Sequence, residues 1–114
     1  MRKWDYTLKS GPALRRAIFN TDYTYASYLA VLRALQAALD EIGMIFPEYL
    51  ETECTEEIKE INYLIALLEK AVAGDEEAIS TIEHELPYCI EDLIDDHLEW
   101  FYDECDSENI WVGF

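Results

Sequence analysis

The chain has 114 residues, 51% of them hydrophobic and 29% charged, a balance that supports one packed domain over residues 1–114 and excludes a disordered acidic tail. Lys and Arg number 8 against 25 Asp and Glu, for a formal charge of −17. That charge excludes direct contact with a phosphate backbone or an anionic lipid surface and leaves a basic protein, including one that itself binds nucleic acid, as the expected partner.

The charge is unevenly placed. Residues 1–16 carry a net +4, residues 17–70 a net −7, and residues 71–114 contain no Lys or Arg and reach −14. Cys54, Cys89 and Cys105 are odd in number and widely spaced, which argues against a disulfide framework and against zinc or redox Cys-x-x-Cys chemistry. No apolar run follows the charged start Met1-Arg2-Lys3-Trp4-Asp5, and Arg33 and Gln36 interrupt the most apolar stretch, so neither a signal peptide nor a membrane span is expected. The expected location is cytoplasmic, with no membrane contact.

Trp4-Asp5-Tyr6-Thr7-Leu8 alternates apolar and polar residues, as a short strand or extended arm does. Pro12 suits the first turn of a short helix to about Phe19, with Ser10 or Gly11 as its cap. Asn20-Thr21-Asp22 is read as the next cap cluster. A long helix follows on the seam Tyr25, Tyr28, Leu32, Leu35, Leu39 and Ile42, stopped by Gly43. Met44 to Glu53, with Pro47 inside it, is expected to be loop. Thr55 caps a third helix on the seam Ile58, Ile61, Ile65, Leu68 and Val72, ended by Gly74. Asp75 caps a shorter fourth helix carrying Ile79, Ile82 and Leu86. Pro87 is expected to open a fifth, running to about Cys105 with Ile90, Leu93, Ile94, Leu98 and Phe101 inward. Asn109 to Phe114 is apolar for a terminus and is expected to fold back and pair with residues 4–8 over a helical surface. The sum is an all-α bundle of about five helices, with a short β pairing of the two terminal segments.

Three groups of residues carry chemistry. On the fifth helix, Asp92, Asp95, Asp96, Glu99 and Asp103 fall within an arc of roughly 100° over about 16 Å of axis. That is one carboxylate per ~4 Å, close to the ~3.4 Å axial phosphate spacing of one B-DNA strand. The stripe is either a solvated face or the docking face of a basic partner, with a nucleic-acid mimic as its sharpest form. Glu56, Glu57 and Glu60 spell Glu-Glu-x-x-Glu, the spacing with which all-α nucleotide pyrophosphohydrolases begin their Mg²⁺ site. The Glu-x-x-Asp that completes it is missing, and Asp92-x-x-Asp95 is the nearest substitute. Acids in a first helical turn also need no catalytic explanation. The sequence therefore assigns no catalytic residue and no cofactor, and keeps Glu56, Glu57 and Glu60 as Mg²⁺ candidates only. His97, inside the apolar arc beside Leu93 and Phe101, is expected to be half-buried with a hydrogen-bonding partner.

Leu8-Lys9-Ser10-Gly11, Leu14-Arg15-x-Ala17-Ile18 and Asp22-Tyr23, followed by a long helix and an acidic second half ending in Ile110-Trp111-Val112, resemble small acidic helical proteins of phages and integrative elements of Gram-positive bacteria. The resemblance implies a mobile-element accessory protein acting on a host defence or DNA-processing factor, and carries over no catalytic residue. Two alternatives accompany this reading: an inhibitor of the immunity or antitoxin type, and a metal-dependent enzyme of the pyrophosphohydrolase kind.

Overall fold

A computed structural model describes residues 6–112. Helices dominate: α1 Gly11–Phe19, α2 Tyr25–Ile45, α3 Pro47–Glu53, α4 Thr55–Val72, α5 Glu76–Ser80 with a π-helical turn Thr81–Glu85, and α6 Ile90–Ser107. Two short strands, β1 Tyr6–Thr7 and β2 Ile110–Trp111, flank them. The all-α bundle and the pairing of its two ends are as the sequence predicts, with six α-helices in place of about five. Trp4, Asp5, Gly113 and Phe114 of the expected end segments lie outside the described residues, as do Arg2 and Lys3.

The core is the α2 seam closed against α4 and α1. Leu32, Leu35, Leu39, Ile61, Ile65, Leu68 and Phe101 are all buried, as expected, while Leu98 is only half-buried. Val72 is 49% exposed, because the face α4 buries runs through Leu64 and Ala71 instead. Outside the seam, Arg33 Nη2 meets Glu69 Oε2 at 2.8 Å and Gln36 Nε2 donates to Asn62 Oδ1 at 2.6 Å, tying the same two helices. Cys54 and Cys105 are buried and Cys89 is exposed, and no disulfide joins them. Burial, then the neighbouring Cys54 and Glu104, push the Cys105 thiol up to about 12.

The strands pair in parallel, Tyr6 with Ile110 and Thr7 with Trp111, and Leu8 N–H donates to the Trp111 carbonyl at 2.7 Å. Parallel pairing needs a crossover, which the whole helical chain supplies. Asn109, at φ +58°, turns the end of α6 into β2, and asparagine tolerates that conformation. Glu41 of α2 then fastens β1 and α1: its carboxylate accepts from Tyr6 Oη at 2.8 Å, Lys9 N–H at 2.8 Å, Ser10 N–H at 2.9 Å and Ser10 Oγ at 2.7 Å.

Several boundaries differ from the sequence reading. Gly43 does not stop α2. The helix ends at Phe46 (φ −130°, ψ 64°), because a residue preceding proline is pushed out of the helical region. Pro47 opens α3 with Glu48 in its first turn, so most of the expected loop is helix. Cys54, not Thr55, stands at the cap of α4, and Thr55 Oγ1 instead donates back to the Glu51 carbonyl. The cap of α2 is Thr24, reciprocally bonded with Ser27, rather than the Asn20-Thr21-Asp22 cluster. Asp22 supports it by accepting from Thr24 N–H at 3.3 Å and from its hydroxyl at 2.7 Å. Pro87 does not open α6. Leu86 before it is extended, Cys89 takes the cap position, and Glu91 and Asp92 occupy the first turn where the helix dipole favours them. Gly74 does end α4, at φ +92°: its N–H bonds the Ala71 carbonyl and Asp75 N–H bonds that of Lys70, a Schellman closure. Asp75 then caps α5 by accepting from Ala78 N–H at 3.1 Å.

Candidate functional site

The amphipathic pattern of α6 turns Ile90, Leu93, Ile94, His97, Phe101 and Cys105 into the core. The opposite face must then carry the acids. Asp92, Asp95, Asp96, Glu99 and Asp103 are all exposed. Among the described residues, none of the five lies within ion-pair distance of Arg33, Lys59, His84 or His97. Partial burial, followed by the charges of Asp92, Glu91 and Asp96, pushes the Asp95 carboxyl above its usual value. The face is therefore under self-repulsion.

Clefts flank the stripe on both sides. Asp95 borders one of about 70 Å³, lined by Ile18, Tyr28, Ile94 and Leu98 and edged by Tyr23. Tyr23 is 69% exposed and held at φ +63°, a conformation that is an outlier for a bulky side chain. Tyr28 Oη, directed at Glu91, closes the floor between α2 and α6. Asp96 borders the second cleft, of about 280 Å³, which Glu57, Glu60, Tyr88, His97 and Trp100 also line. Tyr88 is 65% exposed. Tyr23 and Tyr88 each sit in a connection, outside the periodicity that marks a buried face.

The second cleft holds the one buried polar side chain among the described residues. His97 is 4% exposed, deeper than the half-buried position expected for it. Its Nδ1 lies 2.7 Å from Glu57 Oε2. An ionised carboxylate only accepts, so the proton of this bond sits on Nδ1. Nε2 is buried without a hydrogen-bond partner, with Glu60 Oε1 3.5 Å away, beyond useful hydrogen-bond length. Leaving such an atom unsatisfied costs about 1–3 kcal/mol. The i, i+3 spacing of Glu57 and Glu60 puts both on the α4 face toward α6. Glu56 is not with them: it is exposed and 3.8 Å from Lys59 Nζ. Of the Glu-Glu-x-x-Glu pattern, two residues thus meet a histidine from another helix, a pairing 40 residues apart that no local spacing announces.

No family model, curated protein or solved structure matches the chain. The chemistry has to be read from the side chains themselves. Tight carboxylate spacing on α6 suits a cationic surface. The histidine cleft offers one imidazole nitrogen and carboxylate oxygens within 4.8 Å of one another. Among the described residues, no helix is long and apolar enough to cross a membrane.

Proposed function

We propose that the protein is a non-enzymatic interaction module whose α6 face engages a basic surface of a partner protein. The observation that carries this reading is the exposure of all five stripe carboxylates without an ion-pair partner among the described residues. Like charges held on one helix face destabilise the free protein. A cationic partner relieves that repulsion and is steered to the face by its field. Tyr23 and Tyr88, exposed on either flank, supply rigid apolar contacts of the kind that anchor interfaces. In the sharpest form of this proposal the carboxylates occupy the positions of nucleic-acid phosphates on a DNA- or RNA-binding partner. A mobile-element accessory role, implied by the resemblance above, belongs to the same reading.

The test removes charge from the face and, separately, the same charge from elsewhere. Asp92→Asn, Asp95→Asn, Glu99→Gln and Asp103→Asn form the face variant; Asp96 is kept because it also lines the histidine cleft. Asp40→Asn, Glu48→Gln, Glu51→Gln and Glu76→Gln form the control. A partner captured from the native host should bind the face variant at least tenfold more weakly, bind the control nearly as well as wild type, and release with added salt as screening shortens the reach of exposed charge to ~8 Å. Competition by duplex DNA or RNA for the same partner distinguishes a mimic from an inhibitor of the immunity or antitoxin type. Equal losses in both variants, or none in either, would overturn the docking face.

A further inference from the structure

We propose that His97 and Glu60 form a binding site for a zinc-like divalent transition metal, with Glu57 as the positioning residue that orients the imidazole. The starting observation is an orphan. His97 Nε2 is buried, has no hydrogen-bond partner and belongs to a side chain that lines the cleft between α4 and α6. Buried imidazole nitrogens are almost always satisfied, so one left open toward a polar cleft points to a ligand that the protein fold alone does not supply.

The two nitrogens divide the work as a metal-ligating histidine requires. Glu57 Oε2, 2.7 Å from Nδ1, accepts the hydrogen bond of the Nδ1–H and fixes the ring. In the neutral ring with its proton on Nδ1, the nitrogen left to bind a metal is Nε2, 3.5 Å from Glu60 Oε1. This carboxylate–imidazole–metal order recurs at zinc sites, where the outer carboxylate sets the tautomer and raises the basicity of the ligand. Distance supports the same ion. Two ligands about 2.0–2.1 Å from a tetrahedral zinc stand about 3.3–3.4 Å apart, so the Nε2–Oε1 gap admits the ion with little movement. Octahedral Mg²⁺ would hold adjacent ligands closer, about 3.0 Å apart, and prefers an all-oxygen shell.

Charge and access complete the site. Glu57, Glu60 and Asp96 all line the cleft and, among the described residues, no Lys or Arg does, which favours a cation. The cleft, at about 280 Å³, leaves room for water in the remaining coordination positions. Glu60 is half exposed, with 51% of its side chain accessible, so the ion enters from solvent while His97 waits on the buried side. The site is separate from the docking proposal, since neither Glu57, Glu60 nor His97 belongs to the α6 stripe.

The experiment is titration of the full chain with Zn²⁺ alone and with Co²⁺ alone, read by calorimetry, by the visible absorption of Co²⁺ and by the His97 ring resonances in ¹H–¹³C spectra. The site predicts one saturable event, Co²⁺ bands of tetrahedral intensity and a shift confined to the His97 ring. Glu60→Gln should weaken binding at least tenfold, and Glu57→Gln by about 10–100-fold through the misplaced ring. Cys89→Ser should bind as wild type, which separates this site from capture by the exposed thiol. His97→Gln should abolish the saturable event; as that side chain is buried, Glu60→Gln, at a half-exposed position, keeps the test independent of folding. Binding that is diffuse, that excess Mg²⁺ displaces equally well, or that survives Glu60→Gln unchanged would overturn the proposal.

Discussion

Gly11 lies directly beneath the backbone of Val112: a Cβ placed on Gly11 would stand 1.3 Å from the Val112 carbonyl oxygen. The first residue of α1 and the residue that follows β2 are in contact only because neither offers a side chain at that point. The constraint is therefore one of close approach, and glycine is the one residue that meets it.

Gly11→Ala should accordingly push the C-terminal segment off α1. The loss includes the Leu8–Trp111 hydrogen bond and part of the burial of Ile110, which is 3% exposed. We expect a destabilisation of about 1–3 kcal/mol or more, as for overpacking at a tight contact. Chemical denaturation measures it, and hydrogen exchange at the Leu8 amide locates it. An unchanged midpoint with Leu8 still protected would mean that β2 does not sit where the structure puts it.

Leu35 and Leu98 should separate in the same way that their burial does. Leu35 is fully enclosed between α2 and its neighbours, so Leu35→Ala leaves a cavity and should cost about 2–5 kcal/mol. Leu98 is half-buried and lines the cleft beside Asp95, where water can follow the deletion. Leu98→Ala should cost about 1–2 kcal/mol, the transfer share without the cavity. Equal costs in urea titrations would show that the α6 face is packed against something more than the described core.

Acid should loosen the N-terminal attachment through Glu41. Burial pushes its carboxyl up, but the Lys9 N–H, the Ser10 hydroxyl, the Ser10 N–H and the Tyr6 hydroxyl outweigh it and hold the carboxyl below its ordinary value of 4.5. A depressed folded value stabilises the protein above the unfolded value and is lost as pH falls through the folded one. Glu41→Gln should cost about 1–3 kcal/mol at neutral pH, the scale of hydrogen bonds to a charged group. The gap between wild type and variant should close on acidification below the ordinary carboxylate range. Comparing the two proteins at each pH removes the general relief of repulsion that this −17 chain gains from acid. A gap that persists into acid would assign the role of Glu41 to packing.

Periodicity in the sequence determined the helical class, the α2 seam and the inward face of α6, because burying one stripe of a 3.6-residue repeat is a local property of the chain. Gly74 and Asp75 were legible for the same reason: a left-handed stop and a side-chain cap act within a few residues. The acidic arc of α6 was legible too, since a helix with one face buried must expose the other. Ambiguity arose where two local rules competed. Gly43 and Pro47 both signal a stop, and the steric demand of proline on Phe46 prevailed over the option that glycine offers. Pro87 and the acids Glu91 and Asp92 both mark a helix start, and the start lies at Ile90.

Only the tertiary structure decided what lies far apart in the chain. The direction and register of the β1–β2 pair depend on where the bundle delivers its two ends. The requirement for glycine at position 11 depends on a backbone 101 residues away. Glu41 was one acid among 25 until four donors from β1 and the segment leading into α1 converged on it. His97 looked like a core histidine, Glu57 like a dipole-favoured acid of a first turn, and Glu60 like one more acid on the same helix. Packing α6 on α4 gave one nitrogen a partner and left the other without one. Hydrogen bonds and coordination need atoms within about 3 Å of each other, and across elements that distance is set by the fold as a whole.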